Sequence, residues 1–227
     1  MKNKLQNKLI VFDWNGTILA DTLPALEASN ICLEFFGRPP ISLARFHETF
    51  DFPVIHFYTR NGCSVDEIIA RQDESNILFQ SNYERLAANT RTRSGARALL
   101  QTLNDAGAHC MVLSNYRTEK IAHHVHRLKL EPYFRHICAN HCDGTSILHS
   151  TSKLERLQKY MDIHGFAPRD TVIIGDSLEE PDIAHKLGLT CISITGGVAS
   201  ESRLKRTKST FRVHNLNDVL PILKEKL

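Results

Sequence analysis

Short, dense apolar runs recur along the chain: KLIVFD (8–13), HCMVLSN (109–115), HICAN (136–140), TVIIGD (171–176) and TCISIT (190–195). Their apolar residues are consecutive rather than alternating. That is the pattern of parallel strands covered on both faces. Helical patterns lie between them. SGARALLQTLNDAG (94–107) places Ala98, Leu99 and Leu103 near one face and closes on Gly107. TEKIAHHVHRLKL (118–130) and SKLERLQKYMDIHG (152–165) follow the same plan, and EPDIAHKLG (180–188) is a short helix ending in glycine. Strand alternating with helix predicts a doubly wound α/β sheet.

Residues 19–91 break this rhythm, with helical patterns and no convincing strand. TLPALEASNICLEFFG predicts a helix stopped by Gly37, SLARFHETF a second, the capping box Ser64–Glu67 opens a third, and NILFQSNYERLAANT a fourth. TFDFPVIHFYTRNG, between the second and third, is polar and aromatic and reads as a packed turn. The expected organisation is an α/β core formed by 1–18 and 92–227, with a small helical domain inserted over 19–91.

Bulk properties narrow the function classes. The chain has 227 residues, 42% of them hydrophobic, enough for a sizeable core. A net charge of +3 is too mild to argue for nucleic acid as the main partner. The basic run from Arg203 to Lys208 reads as solvated surface. Asp13 interrupts the first apolar stretch too soon for a secretory signal, and no run approaches the ~20 apolar residues of a membrane span. The chain is therefore expected in the cytoplasm, with its six cysteines reduced. His136, Cys138, His141 and Cys142 cluster, but the second ligand pair of a zinc site is missing, so strand-end packing is the better reading.

In open α/β sheets the ligand site lies at the carboxyl ends of the strands. The first strand ends at Asp13, the second at Ser114–Asn115 and the fourth at Gly175–Asp176, while Lys153 opens the preceding helix. Each group alone has a bland role as a turn residue or helix cap. Together they pair two carboxylates, suited to a hard cation such as Mg²⁺, with a hydroxyl, a lysine and turn N–H groups suited to an anion. That combination describes phosphoryl transfer.

At these residues the chain resembles the haloacid dehalogenase-like superfamily, and within it the phosphoglycolate-phosphatase-like group. The first motif appears as Asp13-Trp14-Asn15-Gly16-Thr17, the second as Ser114 followed by Asn115, the third as Lys153, and the fourth as GDSLEEPDIAHKLG (175–188). The resemblance implies a Rossmann-like core with a helical cap between the first two motifs. It implies that Asp13 is a nucleophile forming an aspartyl-phosphate, and that Asp13, Asp176 and the Asn15 carbonyl ligate Mg²⁺. Glu180 would hold a metal-bound water, with Glu179 and Asp182 as alternatives for that second acid. Ser114 and Lys153 would grip phosphate, with N–H groups of Trp14, Asn15 and Asn115, and Thr17 would brace the loop. The implied function is a phosphatase acting on a small phosphate ester, with no membrane and no nucleic acid involved.

One residue departs from the motif. Family phosphatases carry an acid where Asn15 stands, and an amide cannot exchange a proton. General acid–base catalysis contributes ~10²–10⁴-fold. Retained but altered phosphatase activity is the expectation. The alternatives are a catalytically reduced binding or regulatory protein, or other chemistry on acyl phosphates, phosphonates or haloacids. Residues 19–91 contain no lysine, which disfavours a phosphonate route through a Schiff base, and Asp176 disfavours the metal-free dehalogenase route. Arg60, His56 and Tyr58 are the candidates to contact substrate from the insert. Asn15–Gly16 is also a pair prone to deamidation.

Overall fold

The computed structural model describes residues 4–140 and 152–226. Strands β1 (Leu9–Phe12), β2 (His109–Arg117), β3 (His136–Asn140), β4 (Thr171–Gly175), β5 (Thr190–Ile194) and β6 (Phe211–Val213) form one sheet in the order β3-β2-β1-β4-β5-β6. Every neighbouring pair is parallel. This is the doubly wound α/β architecture expected from the apolar runs. Strand order reverses between β1 and β4, so the ends of these two neighbours flank the crevice where such sheets hold ligands.

The helices α1 (Thr22–Phe35), α2 (Leu43–Thr49), α3 (Ile55–Arg60), α4 (Val65–Ala70) and α5 (Gln72–Ala87) lie between β1 and β2. They share an apolar cluster that includes Cys32, Leu33, Phe46, Phe57 and Ile68. The chain leaves and rejoins the sheet at adjacent points: Ala20 N donates to Arg91 O at 2.9 Å, and Arg93 N to Ile18 O at 2.8 Å. Then follow α6 (Ala96–Asp105), α7 (Thr118–Arg127), α8 (Lys153–His164), α9 (Glu179–Leu187), α10 (Glu201–Lys205) and α11 (Val219–Lys226).

Alternate residues of the central strands serve opposite layers. Ile10, Phe12, Val112, Val172 and Ile174 pack with Leu100, Leu103, Ile121 and Leu223 from α6, α7 and α11. Leu9, Val11, Met111, Leu113 and Ile173 pack with Leu157, Met161 and Ile183 from α8 and α9. Both faces are covered, which is why the runs are continuous in the sequence. The helix signals hold locally too. Ser152 and Glu155 form a complete capping box at the start of α8, and Gly165 closes it in the left-handed conformation at φ +71°.

Several elements differ from expectation. β2 runs on to Arg117, with its pairing to β3 shifted between Leu113 and Arg117. Ser114 thus sits at an irregularity inside the strand rather than at its end. The segment read as a turn holds α3, whose Phe57 and Tyr58 are buried; six residues are too few to show helical periodicity. β6 and α11 were not expected: β6 is a three-residue edge strand, below the length that a pattern can register. Arg203 is not solvated surface. It is 7% exposed, and its guanidinium meets Asp51 at 3.0 Å. In the histidine–cysteine cluster, His136 stacks on Tyr160, while His141 and Cys142 lie outside the described residues. No helix among the described residues is long and apolar enough to cross a membrane.

Trp14, between Asp13 and Asn15, is fully buried edge-on to Phe134, and its indole Nε1 has no hydrogen-bond partner. Trp14→Ala is expected to cost about 3–5 kcal/mol in urea unfolding followed by circular dichroism. Trp14→Phe should cost below about 2 kcal/mol, because removing an unpaired buried donor, worth ~1–3 kcal/mol, offsets part of the lost volume. Equal costs for the two variants would contradict this assignment.

Candidate active site

Asp13 follows β1 directly, and its N–H donates to Ile174 O of β4 at 2.8 Å. The carboxylate is 7% exposed. Lys153, the first residue of α8, reaches across with its ammonium. Its Nζ donates to Asp13 Oδ1 at 2.9 Å and Glu180 Oε1 at 2.8 Å, and lies 3.6 Å from Glu179 Oε2. Ser152 fixes where α8 begins, so the capping box also aims the lysine. Glu180 is held from its other side by Ser177, whose N–H and hydroxyl donate to Oε2 at 3.2 and 2.7 Å.

Asp176 follows β4 and is fully buried. Thr17 Oγ1 donates to its Oδ1 at 2.6 Å, and Val198 N to its Oδ2 at 2.7 Å. The chain closes tightly around it. A Cβ on Gly16 would fall 2.2 Å from Asp176 Oδ2, and one on Gly197 would fall 2.0 Å from the same atom. Gly16 also has φ +73°, a second reason for glycine there.

Burial dominates the electrostatics. It pushes Asp13 well above the usual carboxylate range; Lys153 pulls back, while Glu180 and Asp176 push further up. Burial likewise raises Asp176 to about 6, against the donors Thr17 and Val198. For Lys153, burial disfavours the charge, but Asp13, Glu180 and Glu179 outweigh it and hold the ammonium protonated. Burial would also raise Glu180, yet Lys153 prevails and leaves it below the ordinary value.

Asp13, Glu179 and Glu180 thus share a single lysine, and with Asp176 the carboxylates of the cluster outnumber it. A hard cation at Asp13 and Asp176 would offset it, and an all-oxygen donor set suits Mg²⁺. No group of three or more acidic, histidine or cysteine side chains among the described residues is arranged to hold a metal by itself. Two carboxylates and a backbone carbonyl leave positions for water and a phosphate oxygen, which Mg²⁺ commonly keeps.

The remaining predicted residues divide. Ser114 is buried, and its Oγ accepts from Tyr116 N at 3.0 Å. Asn115 Nδ2 donates to Glu179 Oε2 at 2.7 Å. Thr17 braces Asp176 as described. Asp182 is outside the cluster, in an exposed pair with Lys186 at 2.7 Å. Arg60 is not brought to Asp13. Its Nη1 donates to Thr49 O at 3.0 Å and Asp51 Oδ2 at 2.9 Å, so Asp51 bridges Arg60 and Arg203. The Asn15 side chain turns to two residues that sequence reasoning had not singled out: Nδ2 donates to Asp21 Oδ2 and to the Tyr83 hydroxyl, each at 2.7 Å.

Arg93 and Arg156 were also missed. Arg93 joins Gly16 O and Thr195 O, at 2.7 Å each. Arg156 donates to Ser114 O at 3.0 Å and Asn115 Oδ1 at 3.2 Å. Arg156 stands one helical turn after Lys153, a spacing that places both on one face. No comparable local signal marks Arg93.

Comparison with known proteins gives the family and fold of the chain. A family model described as haloacid dehalogenase-like hydrolase matches residues 7–187. Phosphoglycolate phosphatase 1 of Pseudomonas aeruginosa is 26% identical, over 94% of this chain and 79% of its own. A 5'-nucleotidase of the same organism is 23% identical, over 94% of both chains. Among solved structures, a putative phosphoglycolate phosphatase from Lactobacillus delbrueckii subsp. bulgaricus superposes with a TM-score of 0.76 at 20% identity, covering 96% of this chain and 98% of its own. A predicted phosphatase from Clostridium acetobutylicum gives 0.75 at 19%, covering 97% and 99%.

Lys153→Ala should cost about 3–5 kcal/mol in urea unfolding with chelator present, because it strands buried carboxylates without their cation. A cost below about 1 kcal/mol would show that these carboxylates are neutral or hydrated in the folded protein.

Proposed function

Since the chain belongs to the haloacid dehalogenase-like hydrolase family, we propose that it is a Mg²⁺-dependent phosphatase of small phosphorylated metabolites, phosphoglycolate among them. The observation that carries this reading is the Lys153 ammonium, buried between Asp13 and Glu180 and next to the ends of β1 and β4. The phosphoglycolate phosphatases among its relatives support the substrate class.

In this reading Asp13 attacks phosphorus, the bond to the leaving oxygen breaks, and water later cleaves the aspartyl-phosphate. Lys153, Ser114 and the N–H groups of Trp14, Asn15 and Asn115 neutralise and orient the phosphoryl oxygens. Asp13, Asp176 and the Asn15 carbonyl would hold Mg²⁺, with Glu180 behind them; bound there, the ion supplies charge neutralisation. Glu180 also keeps the lysine in place. Residues 19–91 serve as a cap that excludes water. The five free cysteines among the described residues suit a reducing compartment, so the proposed location is the cytoplasm.

Asn15 sets the expected selectivity. With an amide at that position, leaving groups that depart without a proton, such as aryl or acyl phosphates, should be favoured over alkyl phosphates. The proton-transfer contribution at stake is ~10²–10⁴-fold.

A panel of small phosphate esters, assayed for phosphate release with Mg²⁺ and with chelator, tests the function. Release should need Mg²⁺ and vanish in Asp13→Asn protein of unchanged circular dichroism. Undiminished release by Asp13→Asn, or in chelator, would overturn the proposal.

A further inference from the structure

Asn15–Gly16 carries an intrinsic chemical weakness. The Gly16 backbone nitrogen can attack the Asn15 side-chain Cγ, expel ammonia and close a succinimide; water then opens that ring to aspartate or isoaspartate. Glycine has no side chain to hinder the attack. The chain contains a second such pair, Asn61–Gly62.

At the first pair the structure places both reacting groups under restraint. Asp21 Oδ1 accepts from Gly16 N at 2.6 Å, and Asp21 Oδ2 accepts from Asn15 Nδ2 at 2.7 Å. The Tyr83 hydroxyl also accepts from Asn15 Nδ2 at 2.7 Å, and itself donates to Asp21 Oδ2. A single carboxylate therefore bridges the attacking nitrogen and the departing one. To present Cγ to Gly16, the amide must break two side-chain bonds beside residues that are 1% and 2% exposed, where little water can replace them. Tyr83 belongs to α5, where it stacks on Phe79 and meets Tyr116 of β2 edge-on. The clamp is thus complete only when α5 is seated against the sheet domain.

We propose that Asp21 and Tyr83 clamp Asn15, shielding the Asn15–Gly16 bond from succinimide formation and fixing the amide for turnover. Tyr83 is then a positioning residue, acting on the reaction through Asn15. The positioning half rests on the phosphatase reading; the shielding half stands without it.

The test compares wild type, Tyr83→Phe and Asp21→Asn, incubated at mildly alkaline pH. Aspartate and isoaspartate are counted at positions 15 and 61 by peptide mass spectrometry. Wild type should convert Asn15 more slowly when folded than when unfolded in urea. Tyr83→Phe should speed conversion at Asn15 about three- to tenfold, the scale of one neutral hydrogen bond, with no change at Asn61. Asn61 is the internal control, held separately by Thr49, Phe57 and Arg45. Equal acceleration at both sites would mean general loosening and would overturn the clamp. Slower conversion in Asp21→Asn would also overturn it, by showing that Asp21 promotes ring closure as a base.

For turnover, freshly purified Tyr83→Phe should lose a similar factor in kcat with KM retained. In an Asn15→Ala background the same substitution should change nothing further. An undiminished effect there would remove Tyr83 from the positioning role. If wild type released no phosphate, the functional reading would fall, while the rates at position 15 would still decide the shield.

Discussion

One buried ammonium organises the ends of the strands. Lys153 is 2% exposed and is the common partner of Asp13, Glu179 and Glu180. Removing several carboxylates from water is costly, and each needs a counter-charge or donors close by. The neighbouring sequence meets that need. Ser152 sets the start of α8, Ser177 takes the far oxygen of Glu180, and Gly175 leaves room for Glu180, whose Cγ would lie 2.3 Å from any Cβ there. The negative charge left over is what the proposed cation would offset.

The helical segment is joined to this cluster through the loop after β5. Val198 donates its N–H to Asp176, while its side chain packs in the apolar cluster of α1–α4. A few residues on, Ser200 N donates to His47 O at 3.1 Å, and Arg203 reaches Asp51. A shift of these helices is therefore felt at a carboxylate of the proposed metal site. Asn15, through Tyr83, is a second point of the same kind. Such contiguous contacts are the physical means by which closure over a substrate can be coupled to the catalytic groups.

Much of this was legible because strand ends carry chemistry at fixed places. Asp13, Lys153 and Asp176 could be drawn to one edge of the sheet from apolar runs and helix caps alone, and the family motifs named the same residues, whereas Ser114 lies inside β2 because that strand runs on to Arg117. What escaped depended on contacts between distant parts of the chain. Nothing local announces that Tyr83, 68 positions away, meets Asn15, or that Arg203 is buried rather than solvated. Arg60 reads as a candidate substrate contact from its sequence, but the fold commits it to Asp51. α3 and β6 were too short for their periodicity to register.

The central claim is that Asp13 forms a covalent bond to phosphorus at the carboxylate cluster organised by Lys153. Rapid acid quenching during turnover of an aryl phosphate with Mg²⁺, followed by peptide mapping, tests it most directly. The account predicts an acid-stable, base-labile phosphoryl group on the peptide containing Asp13. Turnover with a phosphoryl group on another residue, or with none under conditions where the intermediate accumulates, would contradict it.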